Sequence, residues 1–276
     1  MHRRISALLG ASLLSVSLVA CSPSPSPNAT LAEMLSDAQQ DAQALSKSAP
    51  ELAEVRASHA EELLDEIHRV CGFEDDGSTP ESCQVAPSDL EAPPAKDADS
   101  YIVKSQKQIL EHLADVPEDS RALVIGHYID ESRLGNDVKI TAPTDLSLSD
   151  DEWITLQDLA ERENAAAWAL GVAMGYLPSN KHETVSAMIE HHQQRAALLN
   201  SLNGENAASL AEPGYTSELP APTDTKSALN TVSTVENSAV SSWHAAAAAA
   251  KTDEWRMLCA QIAGASAKDL ALFDAS

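Results

Sequence analysis

Apolar residues recur every three to four positions along most of this chain, while runs that alternate apolar and polar residues are hard to find; this predicts helices and no sheet. The first run is Leu31, Met34, Leu35, Ala38, Ala42 and Leu45, with Thr30 read as its N-cap. After a break at residues 46–50, a second run follows: Leu52, Val55, His59, Leu63, Ile67 and Val70. These two are expected to pair as a helical hairpin. Two further helices are predicted over about 99–115 and 118–134, divided by Pro117. A polar linker over residues 135–148 closes this N-terminal helical region of residues 30–134.

The pattern is clearer over residues 149–276. Ser149 and Glu152 have capping-box spacing and open a helix to about Leu177. Pro178, Ser179 and Asn180 form a short turn, with Ser179 or Asn180 capping a helix to about Leu202. A connection with glycine and proline runs from Gly204 to Pro222, after which Thr223 and Asp224 cap a third helix that includes the alanine tract 245–250. Thr252 caps a fourth, to about Phe273. Short turn, long connection, short turn is the topology of a ferritin-like four-helix bundle with one crossover. The alanine tract reads as a face that lets a neighbour approach closely. Gly126 and Gly171, inside helical patterns, suggest the same.

Three of these helices carry one ionisable residue in an otherwise apolar stripe. Glu163 interrupts Leu156, Leu159, Ala166, Leu170 and Ala173; His192 interrupts Val185, Ile189, Ala196 and Leu199; Glu236 interrupts Leu229, Val232, Ala239 and Trp243. Unpaired buried charges are costly, so these residues must engage each other, a partner such as Arg195, or a metal. A di-metal carboxylate bundle needs two Glu-x-x-His pairs. Here Ile189 stands three before His192, and the fourth stripe, Trp255, Leu258, Ile262, Ala265 and Asp269, has none. The candidates left are a hydrogen-bonded cluster that sets helix register and a single iron, manganese or zinc ion on Glu163, His192 and Glu236. Glu161 and His191 are alternates one register away. His59 and Glu62, three apart, form a second metal candidate, although the acids around them read as a solvated face. His68 and His244 have no ligand spacing, and no serine elbow, P-loop or dinucleotide fingerprint occurs, so no catalytic residues are assigned.

The N-terminus changes the setting. Arg3 and Arg4 precede an acid-free apolar segment that ends Leu18-Val19-Ala20-Cys21, which resembles a lipoprotein signal with its lipobox. Residues 1–20 are expected to be removed, and Cys21 to carry acyl chains that tether the protein outside the cytoplasm. The Ser/Pro stretch within residues 21–29 is then an extended tether. Loss of Arg3 and Arg4 would take the formal charge from -24 to -26, which disfavours nucleic acid as a partner. In an oxidising compartment Cys71 and Cys83 are expected to close a turn-rich loop as a disulfide, worth about 3 kcal/mol on the chain-entropy model. Cys259 lies on an apolar stripe and is expected to be buried.

The segments Leu159 to Gly171, Arg195 to Leu198, Pro213-Gly214-Tyr215 and Leu219-Pro220, with Arg56 to Ala60 and Leu63 in the N-terminal half, resemble a family of actinobacterial ferritin-like envelope proteins of unknown function. The resemblance spans residues 150–276 and, more weakly, 30–72. It implies the fold and the envelope setting, and brings no established activity with it. The expectation is therefore a lipid-anchored, all-α envelope protein that interacts with an envelope protein partner without catalysis; the alternative is a metal-binding or metal-dependent redox protein.

Overall fold

The computed structural model describes residues 24–85, 94–95, 97–202 and 220–276. The signal segment, Cys21 and most of the connection after Gly204, with Pro213, Gly214, Tyr215 and Leu219, lie outside the described residues. Among the described residues there are eight α-helices and no strand. They are α1 Ala29–Leu45, α2 Pro50–Cys71, α3 Ala98–His112, α4 Arg121–Leu134, α5 Asp150–Met174, α6 His182–Leu202, α7 Thr225–Ala249 and α8 Asp253–Ala275. The Cys71–Cys83 disulfide is formed, tying the end of α2 to the single turn at Glu81–Cys83.

Several helix ends differ from the sequence expectation. Asn28, not Thr30, caps α1, its side chain accepting the Leu31 amide at 3.0 Å. Asn is preferred over Thr at this position, its side-chain oxygen accepting a free amide of the first turn. A 3-10 turn at Ser179–Lys181 precedes α6, so neither Ser179 nor Asn180 sits directly at its start. Thr252 stands at the α8 N-cap without a side-chain cap bond. The capping box of α5 is formed: the Glu152 carboxylate accepts the Ser149 amide at 3.0 Å and, with its other oxygen, the Lys251 amide at 2.8 Å. That second bond ties the α7–α8 turn to the base of α5.

α5 packs along α6 and α7, and α8 packs along α7 and meets α6, which closes a ring of four helices. α1 and α2 pair as a hairpin, α4 meets α2 and α3, and α3 meets α1 in a second ring. The rings are joined because α4 also lies along α8 and α7. One apolar core consequently runs from Leu31, Leu35 and Ile67 through Ile125 and Tyr128 to Leu258 and Ile262. Each fully buried aliphatic side chain of this kind contributes about 1.5–3 kcal/mol.

Contact on two sides makes α8 the central helix. Arg256, Cys259, Ala260, Ala263, Gly264 and Ala267 are buried beside its predicted stripe. The close approach is at Gly264, where an added Cβ would stand 2.5 Å from Ser132 Oγ and 2.7 Å from Tyr128 Cε1 of α4. Gly126 and Gly171 do not have the close-packing role expected of them, since a Cβ at either would meet nothing within 4 Å. Gly264→Ala is expected to lower stability by about 1–3 kcal/mol through overpacking. Gly171→Ala, on the exposed side of α5, is expected to raise it by up to about 1 kcal/mol through helix propensity. Thermal melts of the two variants side by side check both signs.

Candidate functional site

The three stripe-breaking residues meet inside the α5–α8 ring. Glu163 on α5, His192 on α6 and Glu236 on α7 are 2%, 0% and 0% exposed. His192 lies between the two carboxylates, Nδ1 at 2.6 Å from Glu163 Oε2 and Nε2 at 2.9 Å from Glu236 Oε1. The Trp243 indole donates to the other Glu163 oxygen at 2.6 Å. Burial by itself would lower the His192 pKa, but the bonds to Glu163 and Glu236 outweigh it and push the ring up to about 9. The imidazole is therefore a cation at neutral pH, donating from both nitrogens. Burial raises the Glu163 carboxyl, yet His192, Arg195 and Trp243 together hold it below its ordinary value.

In this geometry the three metal candidates are bonded to one another. A metal must bind an imidazole through one deprotonated nitrogen, at about 2.0–2.1 Å. Here each carboxylate occupies a different nitrogen of one ring, so Glu163, His192 and Glu236 converge on the ring and not on a shared point outside it. Among the described residues, no group of three or more His, Cys, Asp or Glu side chains is placed to hold a metal ion. The alternate Glu161 is exposed on α5. The alternate His191 turns to α8, with Nδ1 at 2.8 Å from Asp269 Oδ1.

Arg195 extends the cluster to α8. Its Nη1 donates to Ser266 Oγ at 3.0 Å, its Nη2 to Asp269 Oδ2, and Glu163 Oε2 lies 3.9 Å from Nη1. All four helices thus supply an acid or a base at the level of His192. Asp269, which burial would raise, is held below its ordinary pKa by His191 and Arg195.

The N-terminal ring holds a second network, most of which sequence reasoning missed. Arg56 on α2 donates from Nη1 to Glu131 Oε1 of α4 at 2.7 Å and to Ser105 Oγ of α3 at 2.9 Å, and from Nη2 to Asp41 Oδ2 of α1 at 2.9 Å. His59 and Glu62 turn to different partners. His59 is buried and stacks on His127 of α4, the ring centroids 3.9 Å apart, whereas Glu62 takes the His127 Nε2 at 2.8 Å. Asp130 and Glu131 face His59 at 3.7 and 3.6 Å. Burial opposes a charge on His59, but these two carboxylates outweigh it and raise its pKa. Burial and the neighbouring His59 charge push His127 down to about 4, so the two rings of the stack are shifted in opposite directions. The available signal was spacing: Arg56 and His59 are three apart on one helical face, and Asp41 follows Ala38 by three.

Comparison with known families falls on the α5–α8 network. Residues 155–275 match the family model described as Domain of unknown function (DUF4439). No curated protein and no solved structure matches the chain. The DUF4439 segment contains Glu163, His192, Arg195, Glu236 and Asp269, hence the whole polar network of α5–α8. The Arg56 network lies outside it.

Proposed function

We propose that this protein is a lipid-anchored, extracytoplasmic interaction protein whose DUF4439 segment is a ferritin-like bundle that serves as a scaffold. The observation that carries this reading is the closed Glu163–His192–Glu236 triad. Positions suited to metal ligands are spent on mutual hydrogen bonds, with a protonated imidazole where a metal would stand. Such a network fixes the register of the helices it joins. The formal charge of -24 suits a basic partner surface and opposes anionic polymers. The ferritin-like reading draws support from the closed ring of α5–α8 and from the short turns that join α5 to α6 and α7 to α8. The lipid anchor rests on the lipobox resemblance at Leu18 to Cys21.

One experiment tests both parts. Full-length protein and a Cys21→Ala variant are expressed in metal-replete cells, fractionated, and purified without chelator for elemental analysis. The expected result is wild type in the membrane fraction, Cys21→Ala released from it, and less than about 0.1 equivalent of iron, manganese or zinc in either. A near-stoichiometric metal content that a Glu163→Ala/Glu236→Ala variant loses would sink the scaffold reading. Membrane retention of Cys21→Ala would sink the lipid anchor.

A further inference from the structure

Between α6, α8 and the extended segment 137–142 lies a cleft of about 400 Å³. The segment is held in place at both ends: Lys268 Nζ donates to Gly135 O at 2.5 Å, and the Thr141 amide donates to Gln261 Oε1 at 2.9 Å. It therefore forms a wall of the cleft. On one side the lining is apolar, with Val138, Ile140 and Leu198; on the other it is polar, with His191, Arg195 and Lys268.

The polar side holds donors that have no acceptor among the described residues. Arg195 is 3% exposed, and with Nη1 on Ser266 and Nη2 on Asp269 its Nε–H is left without an acceptor. Lys268 spends one N–H on Gly135 and retains two. His191 gives Nδ1 to Asp269, and its partly exposed Nε2 donates only when the ring is protonated. Both oxygens of Asp269 are engaged, by His191 and Arg195, and Gln194 adds one amide oxygen to the lining. Asp137 is exposed at the rim. A buried donor without an acceptor is costly, so the occupant that completes this wall is one rich in acceptors. The opposite wall asks for hydrocarbon.

We propose that the cleft binds a small amphipathic anion, its head at Lys268 and His191 in front of Arg195 and its hydrocarbon chain along Val138, Ile140 and Leu198. The head is a carboxylate or a phosphate monoester, since both present several acceptors to a cluster of N–H donors. In a chain of formal charge -24, recognition here depends on local donors and not on the overall field. The site is separate from the Glu163–His192–Glu236 triad, and its failure would leave the scaffold reading intact.

The test is equilibrium dialysis of labelled hexanoate, hexyl phosphate and hexyltrimethylammonium against full-length protein in lipid nanodiscs, with empty nanodiscs as the blank. One equivalent of saturable binding is expected for at least one anion, and none above blank for the cation. The tighter of the two anions identifies the head group. Lys268→Ala is expected to weaken binding by about tenfold, and Lys268→Arg to restore most of it. Ile140→Asp, on the half-buried segment wall, is expected to weaken it through the chain half of the site. Thermal melts accompany each variant, so that a loss of fold is not read as a loss of site. No saturable binding of either anion up to about 10 mM overturns the proposal. Binding that both the Lys268→Ala and Ile140→Asp variants keep overturns it equally, as does equal uptake of the cation.

Discussion

Arg56→Met is expected to destabilise the protein by about 3–5 kcal/mol, the range for removing one partner of a buried ion pair. Arg56 hydrogen-bonds to all three other helices of the N-terminal ring, through Asp41, Ser105 and Glu131. Methionine fills much of the same volume, so the loss comes from charge: two carboxylates remain inside the ring without their cation. Burial, the largest influence on Asp41, already raises its pKa with Arg56 present, so in the variant Asp41 will take up a proton more readily in the folded state. The deficit should therefore be smaller at pH 5 than at pH 8, and urea midpoints at the two pH values measure the difference. A triple variant Arg56→Met/Asp41→Leu/Glu131→Leu is expected to recover most of the stability, because the cost lies in the stranded charges and not in the absence of the ion pair. A single Arg56→Met variant as stable as wild type would show that water reaches this network.

His192→Gln is expected to cost a similar amount, about 3–5 kcal/mol, and to change the pH profile as well. Its folded pKa of about 9 lies above the ordinary 6.5, so the protonated ring is bound more tightly in the folded state. The associated stability is fully present below pH 6.5 and is lost as the pH rises through about 9. The shift corresponds to about 3 kcal/mol at about 1.4 kcal/mol per unit. At the acid end Glu163, held below its ordinary value, contributes stability above about pH 4.5 that is lost as the pH falls. Wild type should thus be most stable between about pH 4.5 and 6.5 with respect to this triad. The Gln variant should lose the fall between pH 6.5 and 9. Chemical denaturation across that range, together with the imidazole resonances of His192 by NMR, measures both. A ring that titrates near its ordinary value would mean the two carboxylates do not hold the proton there.

The stripe positions explain why the α5–α8 triad was legible and the Arg56 network mostly was not. Glu163, His192 and Glu236 each stand alone in a long apolar stripe, and a 3.6-residue period is enough to turn them inward. Glu131 sits in the charged run Asp130 to Arg133 and Arg56 stands two after Glu54, where one buried charge looks like its neighbours, and Asp41 lies among the polar glutamines of residues 39–43. Periodicity shows which face of a helix is apolar, but not how wide a face the neighbours will cover. On α4, packed against helices of both rings, the buried residues Val124, Ile125, His127, Tyr128, Ile129, Glu131 and Ser132 surround the helix and leave no stripe to read.

By itself the sequence determined the helical class, the eight segments, the disulfide and the meeting of two carboxylates and one histidine, because each depends on local spacing or on a regular helical period. The tertiary structure decided how those groups meet. His192 stands between Glu163 and Glu236 and not beside them, which turns three plausible metal ligands into a protonated hydrogen-bonded triad. It also decided that Gly264, and neither Gly126 nor Gly171, admits the neighbouring helix, and that His59 stacks on His127. These outcomes depend on the rotation and depth of one helix against another, and a shift of about 100° per residue lies beyond what a one-dimensional pattern resolves.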